Sequence, residues 1–96
     1  MYILVTYDVD TTDKSGQRRL RRVAKVCLDY GQRVQNSVFE CVLDNAQCIQ
    51  LKSVLSDIID PEVDSLRFYY LGNKYKAKVE SIGVERGIAI DDVLVL

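Results

Sequence analysis

The stretch YILVTYDV, residues 2 to 9, is apolar on both of the faces that a strand's two-residue period creates. Ile3, Val5 and Tyr7 share one face; Tyr2, Leu4, Thr6 and Asp8 share the other. A strand with no wet side belongs in the middle of a sheet that is covered twice. The polar turn DTTDKSG follows, with Ser15 the expected N-cap of a helix running to about Tyr30 and Gly31 its stop signal. Leu20, Val23, Ala24 and Cys27 make that helix's apolar side. Then GQRVQNSVFECVL, residues 31 to 43, predicts strand at Val34 and from Val38 to Leu43, with Gln35, Asn36 and Ser37 a turn or a bulge between them. Asp44 caps a second helix, and Gln47 stands where a capping-box partner reaches back. Cys48, Leu51, Val54, Leu55, Ile58 and Ile59 form its stripe, and Asp60 before Pro61 ends it. LRFYYL, residues 66 to 71, is one more strand.

The order β-α-β-β-α-β is the ferredoxin-like split unit, an α+β fold with two helices on one face of a four-stranded antiparallel sheet. Residues 1 to 78 are assigned to this domain. Residues 79 to 96 add an extra C-terminal strand, drawn from KVESIG, and an apolar tail, VLVL, which needs a sheet edge on its own protomer or on a partner.

Ninety-six residues hold one domain with one core. The 48% hydrophobic and 28% charged composition is that of an ordinary globular chain. No apolar run reaches membrane-spanning length and no signal-peptide pattern opens the chain, so a cytoplasmic protein without membrane contact is expected. Cys27, Cys41 and Cys48 lack metal-like spacing and read as small buried thiols.

The helices cover only one of the two apolar sheet faces. In LRFYYL, Leu66, Phe68 and Tyr70 alternate with Arg67, Tyr69 and Leu71; in the preceding strand Phe39, Cys41 and Leu43 alternate with Val38, Glu40 and Val42. A homodimer packed sheet on sheet would cover the second set. Asp8 would then point toward the two-fold axis and lie near its own copy. Two such carboxylates repel unless a divalent cation lies between them, and an oxygen-only donor set favours magnesium, with manganese the substitute. The competing reading is that Asp8 caps the turn that follows it.

Residues 14 to 33 carry Lys14, Arg18, Arg19, Arg21, Arg22, Lys25 and Arg33 against Asp29 alone, a net +6, while the remainder is −7. Such asymmetry suits a surface that meets a polyanion. Four arginines within residues 18 to 22 repel one another along a helix, and a phosphate backbone would offset that repulsion. A plain solvated helix face is the other reading. The six tyrosines lie mostly in strands and read as packing rather than base stacking.

YDV at the end of the first strand, RRLRR on the first helix and GQRVQNSVFE leading into the next strands together resemble the small CRISPR-associated endonuclease family, the lesser subunit of the adaptation complex. The resemblance spans nearly the whole chain, LRFYYLG included, and GxRVQxSVFE is its most specific part. RLRRVAK and YGQRVQNSVFEC are similar to subtype I-C members. The resemblance implies a ferredoxin-like homodimer in which an aspartate from each protomer faces its counterpart and holds magnesium. Asp8 matches that aspartate, with Tyr7 beside it as its catalytic companion. Arg18, Arg19, Arg21, Arg22 and Lys25 of the helix and Arg33 of the RVQ segment are the nucleic-acid-binding set, and Ser37 and Phe39 of SVFE support the site. The implied function is an adaptation subunit that binds double-stranded nucleic acid and bridges the integrase subunits in spacer acquisition. Slow magnesium-dependent endonuclease activity, on double-stranded DNA or single-stranded RNA, accompanies it. The alternatives are a DNA-holding scaffold without catalysis and a toxin-type ribonuclease of the same fold.

Overall fold

The computed structural model describes residues 1–71 and 78–84. The expected tail, Val93 to Leu96, lies outside the described residues. Seven elements follow in the order β1 (Tyr2–Asp8), α1 (Lys14–Tyr30), β2 (Gln32–Gln35), β3 (Val38–Val42), α2 (Asn45–Ile58), β4 (Ser65–Leu71) and β5 (Lys78–Gly83). The strands form one five-stranded sheet in the order β2-β3-β1-β4-β5, every neighbouring pair antiparallel. The doubly apolar first strand is indeed central. The sheet has one strand more than the four of the basic unit, because KVESIG pairs with β4 of its own chain from Ser65↔Gly83 to Tyr70↔Lys78. The arrangement is ferredoxin-like, with the extra strand at the edge beside β4. No described helix is long and apolar enough to cross a membrane.

The helix caps explain where α1 and α2 begin. Asp13, not Ser15, caps α1: its Oδ1 accepts from the Gly16 N–H at 2.8 Å and from the Ser15 hydroxyl at 3.0 Å. A carboxylate in reach of the same orphan N–H groups outcompetes the hydroxyl, and the helix starts before Ser15. Gly31 does stop the helix, but not through a left-handed turn. Its φ is −163°, and a Cβ there would sit 2.4 Å from both the Cys41 sulfur and the Glu40 carbonyl. What requires glycine is the close approach to β3. At α2 the capping box is complete, with Gln47 N–H to Asp44 Oδ1 at 2.7 Å and Asp44 N–H to Gln47 Oε1 at 3.0 Å. The polar interruption is both a turn, at Asn36 and Ser37, and a shift of β2–β3 register between Arg33 and Gln35.

The main core lies between helices and sheet. Ile3, Val5 and Tyr7 of β1, Phe39 and Cys41 of β3 with Leu43 beyond its end, and Leu66 and Phe68 of β4 pack against Val23 and Cys27 of α1 and Cys48, Leu51, Leu55 and Ile58 of α2. All three cysteines are buried and free; burial pushes the Cys27 thiol up to about 12 and the Cys41 thiol to about 11, which keeps both protonated and inert. Leu4, Val38 and Tyr69 are buried on the opposite face, with Val34 and Leu71 packed against them. Tyr2, Val42 and Val79 share that face by register and are exposed. At the β5 edge, Lys52 of α2 pairs with Glu80 at 3.0 Å, and the Tyr70 hydroxyl donates to the same carboxylate oxygen.

Candidate functional site

Asp8 is the last residue of β1, half-buried, opposite Ser65 of β4. The strand's period places it on the face away from the helices, in line with Leu4 and Thr6. Thr6 stands between Val38 and Arg67 in register. Its hydroxyl oxygen is buried with no hydrogen-bond partner among the described residues. Arg67 is 7% exposed, and its Nη1 donates to the Tyr69 hydroxyl at 3.4 Å. The end of the outer face therefore holds a carboxylate, a guanidinium and two hydroxyl-bearing residues. Arg67 has no place in the site read from the sequence, although its phase in LRFYYL, in step with Tyr69 and Leu71, puts it on this face.

Tyr7 points the other way. It is 4% exposed, its ring stacks on Phe39 with centroids 6.1 Å apart, and its hydroxyl donates to the Asn36 carbonyl at 3.4 Å. Burial raises the Tyr7 phenol, and Arg33 opposes part of that rise. The Tyr7 N–H donates to the Ser37 carbonyl at 3.1 Å, so Ser37 contributes here through its backbone. The exposed Arg33 lies with its guanidinium carbon 5.1 Å from the Phe39 ring centre. RVQNSVFE thus builds a buttress behind the end of β1, with the sheet between it and the Asp8 face. Truncating a fully buried phenylalanine costs about 3–5 kcal/mol in packing alone, which is a sufficient role for Phe39.

The basic helix divides in two. Arg18, Arg21, Arg22 and Lys25 are exposed. Arg19 is not one of them: its Nε is 2.8 Å from Asp64 Oδ2 and its Nη2 is 3.4 Å from Asp64 Oδ1, with the Asp64 side chain 0% exposed. Burial pushes the Asp64 carboxyl up, but Arg19 and the N–H groups of Asp60 and Asp10 together outweigh it and hold the group below the usual carboxylate value. The outward stripe continues into a groove between α1 and α2 where Arg22 and Lys25 meet Asp29 and Asp57. The net positive surface is accordingly the N-terminal two-thirds of α1.

Among the described residues no three acidic, cysteine or histidine side chains gather as a metal cluster. Among the described residues Asp8 is the carboxylate at this end of the outer face, and from one copy it would supply half of a water-rich magnesium site. Asp10 and Asp13 are engaged locally, accepting from the Thr12 and Gly16 N–H groups.

Residues 1–79 match the family model for CRISPR associated protein Cas2. The CRISPR-associated endonuclease Cas2 of Halalkalibacterium halodurans is 56% identical over 95 residues, covering 99% of each chain. The CRISPR-associated endoribonuclease Cas2 of Chlorobaculum tepidum is 51% identical over 96 residues, covering 100% of both. Among solved structures, Streptococcus pyogenes Cas2 at pH 6.5 superposes with a TM-score of 0.70 at 58% identity, covering 75% of this chain and 87% of that one. A hypothetical protein from Thermus thermophilus gives 0.65 at 30% identity, covering 83% and 92%. The chain belongs to the Cas2 family of CRISPR-associated proteins.

Proposed function

We propose that two copies of this chain pack through the outer faces of their sheets and form a nucleic-acid-binding adaptation subunit with metal-dependent phosphodiesterase activity at paired Asp8 residues. The observation that carries the reading is the placement of Asp8: half-buried, at the end of the central strand, on the face without helices. Relatives named endonuclease and endoribonuclease support hydrolysis of phosphodiester bonds, in double-stranded DNA or single-stranded RNA. The buried apolar strip of Leu4, Val38 and Tyr69, continued by the exposed Tyr2, Val42 and Val79, supports a partner sheet.

In this reading Asp8 from each copy would hold magnesium, or manganese in its place, which would supply charge neutralisation at the phosphate and make a nearby water easier to deprotonate. An Asp8 carboxylate oxygen takes the proton of the attacking water as the ester P–O bond breaks, and the leaving oxygen takes a proton from solvent. Arg18, Arg21, Arg22 and Lys25 hold the backbone by charge-assisted hydrogen bonds and release its counterions. Replacing Asp8 with asparagine should abolish magnesium-dependent cleavage and leave the dimer intact on a sizing column. Undiminished cleavage by that variant, purified free of contaminating nuclease, overturns the catalytic assignment.

A second reading, a DNA-holding bridge between integrase subunits, is favoured by the position of the exposed arginines on the helix layer, across the sheet from Asp8. The two readings part in cells: the bridge alone predicts that Asp8→Asn still acquires spacers, and catalysis in adaptation predicts that it does not.

A further inference from the structure

Asp64 has no role in the site described above, yet it ties together four parts of the chain at one end of the sheet. Its Oδ1 accepts from the Asp10 N–H at 3.0 Å, and its Oδ2 from the Asp60 N–H at 2.8 Å and from Arg19 Nε at 2.8 Å. Its own carbonyl accepts from the Val84 N–H at 2.9 Å, just past β5. Arg19 reaches the same loop a second time, with Nη2 3.5 Å from the Asp10 carbonyl, and Nη1 donates to the Ser15 hydroxyl at 3.0 Å. Asp10 is two residues beyond Asp8. The N–H and the carbonyl of that residue are both held by the Asp64–Arg19 pair.

A buried ion pair is a poor source of stability, because desolvation offsets most of the attraction, and apolar replacements often do as well. It is a good source of direction, since a forked guanidinium and a two-oxygen carboxylate fit in few orientations. We propose that Asp64 and Arg19 are positioning residues. They fix the peptide that leaves Asp8 and lock the first turns of α1 to it, so that the carboxylate at the end of β1 and the exposed arginines of α1 keep one fixed spacing. The inference rests on the reading of Asp8 as a metal-holding carboxylate. Asp64 and Arg19 touch neither metal nor nucleic acid; they act through Asp10 and through the helix.

The test uses the full-length dimer and two conservative variants. Asp64→Asn keeps the size and an acceptor oxygen and loses the charge; Arg19→Lys keeps the charge and loses the fork. Manganese binding is titrated by electron paramagnetic resonance at a temperature well below each variant's Tm. Cleavage is resolved into kcat and KM, and affinity for a duplex is measured without metal. Groups that orient a metal ligand are worth about 10–100-fold in metal affinity. The expected result is a loss of about tenfold in both manganese affinity and kcat, the low end of that range, with KM and duplex affinity within about twofold of wild type. A soluble, dimeric Asp64→Asn with manganese affinity and kcat within about twofold of wild type overturns the inference, and if that variant does not fold, Arg19→Lys is judged by the same thresholds. Asp8→Asn separates the levels: undiminished manganese binding there overturns the underlying reading of Asp8. Binding lost in Asp8→Asn but kept in Asp64→Asn overturns only the positioning role.

Discussion

Replacing Gly16 with alanine should destabilise the protein, against the ordinary expectation for a helix. Gly16 lies in the first turn of α1, is buried, and has a regular helical backbone. On propensity alone a helical Gly→Ala change gains up to about 1 kcal/mol, and less in a first turn. The surroundings reverse the sign. An alanine Cβ would lie 1.8 Å from the Asp10 carbonyl oxygen, 2.9 Å from its carbon and 3.2 Å from the Thr11 Cα. These atoms are backbone, and relief needs a movement of about 1.5 Å by either the loop or the helix start. Forced overpacking of this kind costs about 1–3 kcal/mol, occasionally more. With a first-turn propensity gain of about 0.5 kcal/mol subtracted, the net loss is about 0.5–2.5 kcal/mol. In a domain of this size that lowers Tm by about 4–8 °C per kcal/mol. Urea denaturation of Gly16→Ala beside Gln17→Ala, an exposed neighbour in the same turn, isolates the effect, because Gln17→Ala should stay within about 0.5 kcal/mol of wild type. A Gly16→Ala protein as stable as wild type refutes the argument that the β1–α1 loop is seated against the helix.

Replacing Asp44 with alanine removes half of the capping box on α2 and should cost about 1 kcal/mol, read from the urea midpoint at unchanged slope. The Asp64 carboxyl is held below its unfolded value of about 3.9, so its contribution is complete above that pH and is lost as pH falls through the depressed folded value. Urea midpoints measured from pH 7 down to pH 3 should therefore fall less steeply for Asp64→Asn than for wild type across the acid limb; parallel curves would remove Asp64 from the acid transition. Alanine at Arg18, Arg21, Arg22 and Lys25 together should weaken duplex binding and reduce the slope of log affinity against log salt by up to about 0.9 for each phosphate no longer neutralised. A slope equal to wild type would make that stripe a plain solvated face.

The fold was legible because its signals are local. Period-two alternation assigned Ile3, Val5 and Tyr7 to the helix face and Leu4 to the other, and the two burial clusters divide in the same way. The capping box at Asp44 and Gln47 and the stop at Gly31 are likewise short-range. Asp13 displaced Ser15 as the cap of α1 because two good capping residues two positions apart are settled by which one reaches the N–H groups, and spacing does not reveal that. Arg19 was the harder residue. Within RRLRR it looks like its neighbours, and what sets it apart is Asp64, which lies 45 residues away and meets it only in the folded chain. Arg67 was hidden for a related reason, since a charged residue on an apolar strand shows its phase but not what surrounds it.

Tyr7 and Asp8 are best understood together. Consecutive residues of a strand face opposite ways, so an aspartate presented on the outer face requires that its neighbour be driven into the core. Tyr7 meets that requirement with a ring stacked on Phe39, a hydroxyl bound to Asn36 and an N–H bound to Ser37. A slip of one residue in β1 would put Asp8 against Phe39 and Tyr7 outside, which buries a charge and breaks the aromatic stack. The register is thus fixed at the residue where its error would matter most. On this argument the RVQNSVFE segment and the aspartate belong to one device although the sheet separates their side chains: the segment grips Tyr7, and gripping Tyr7 aims Asp8.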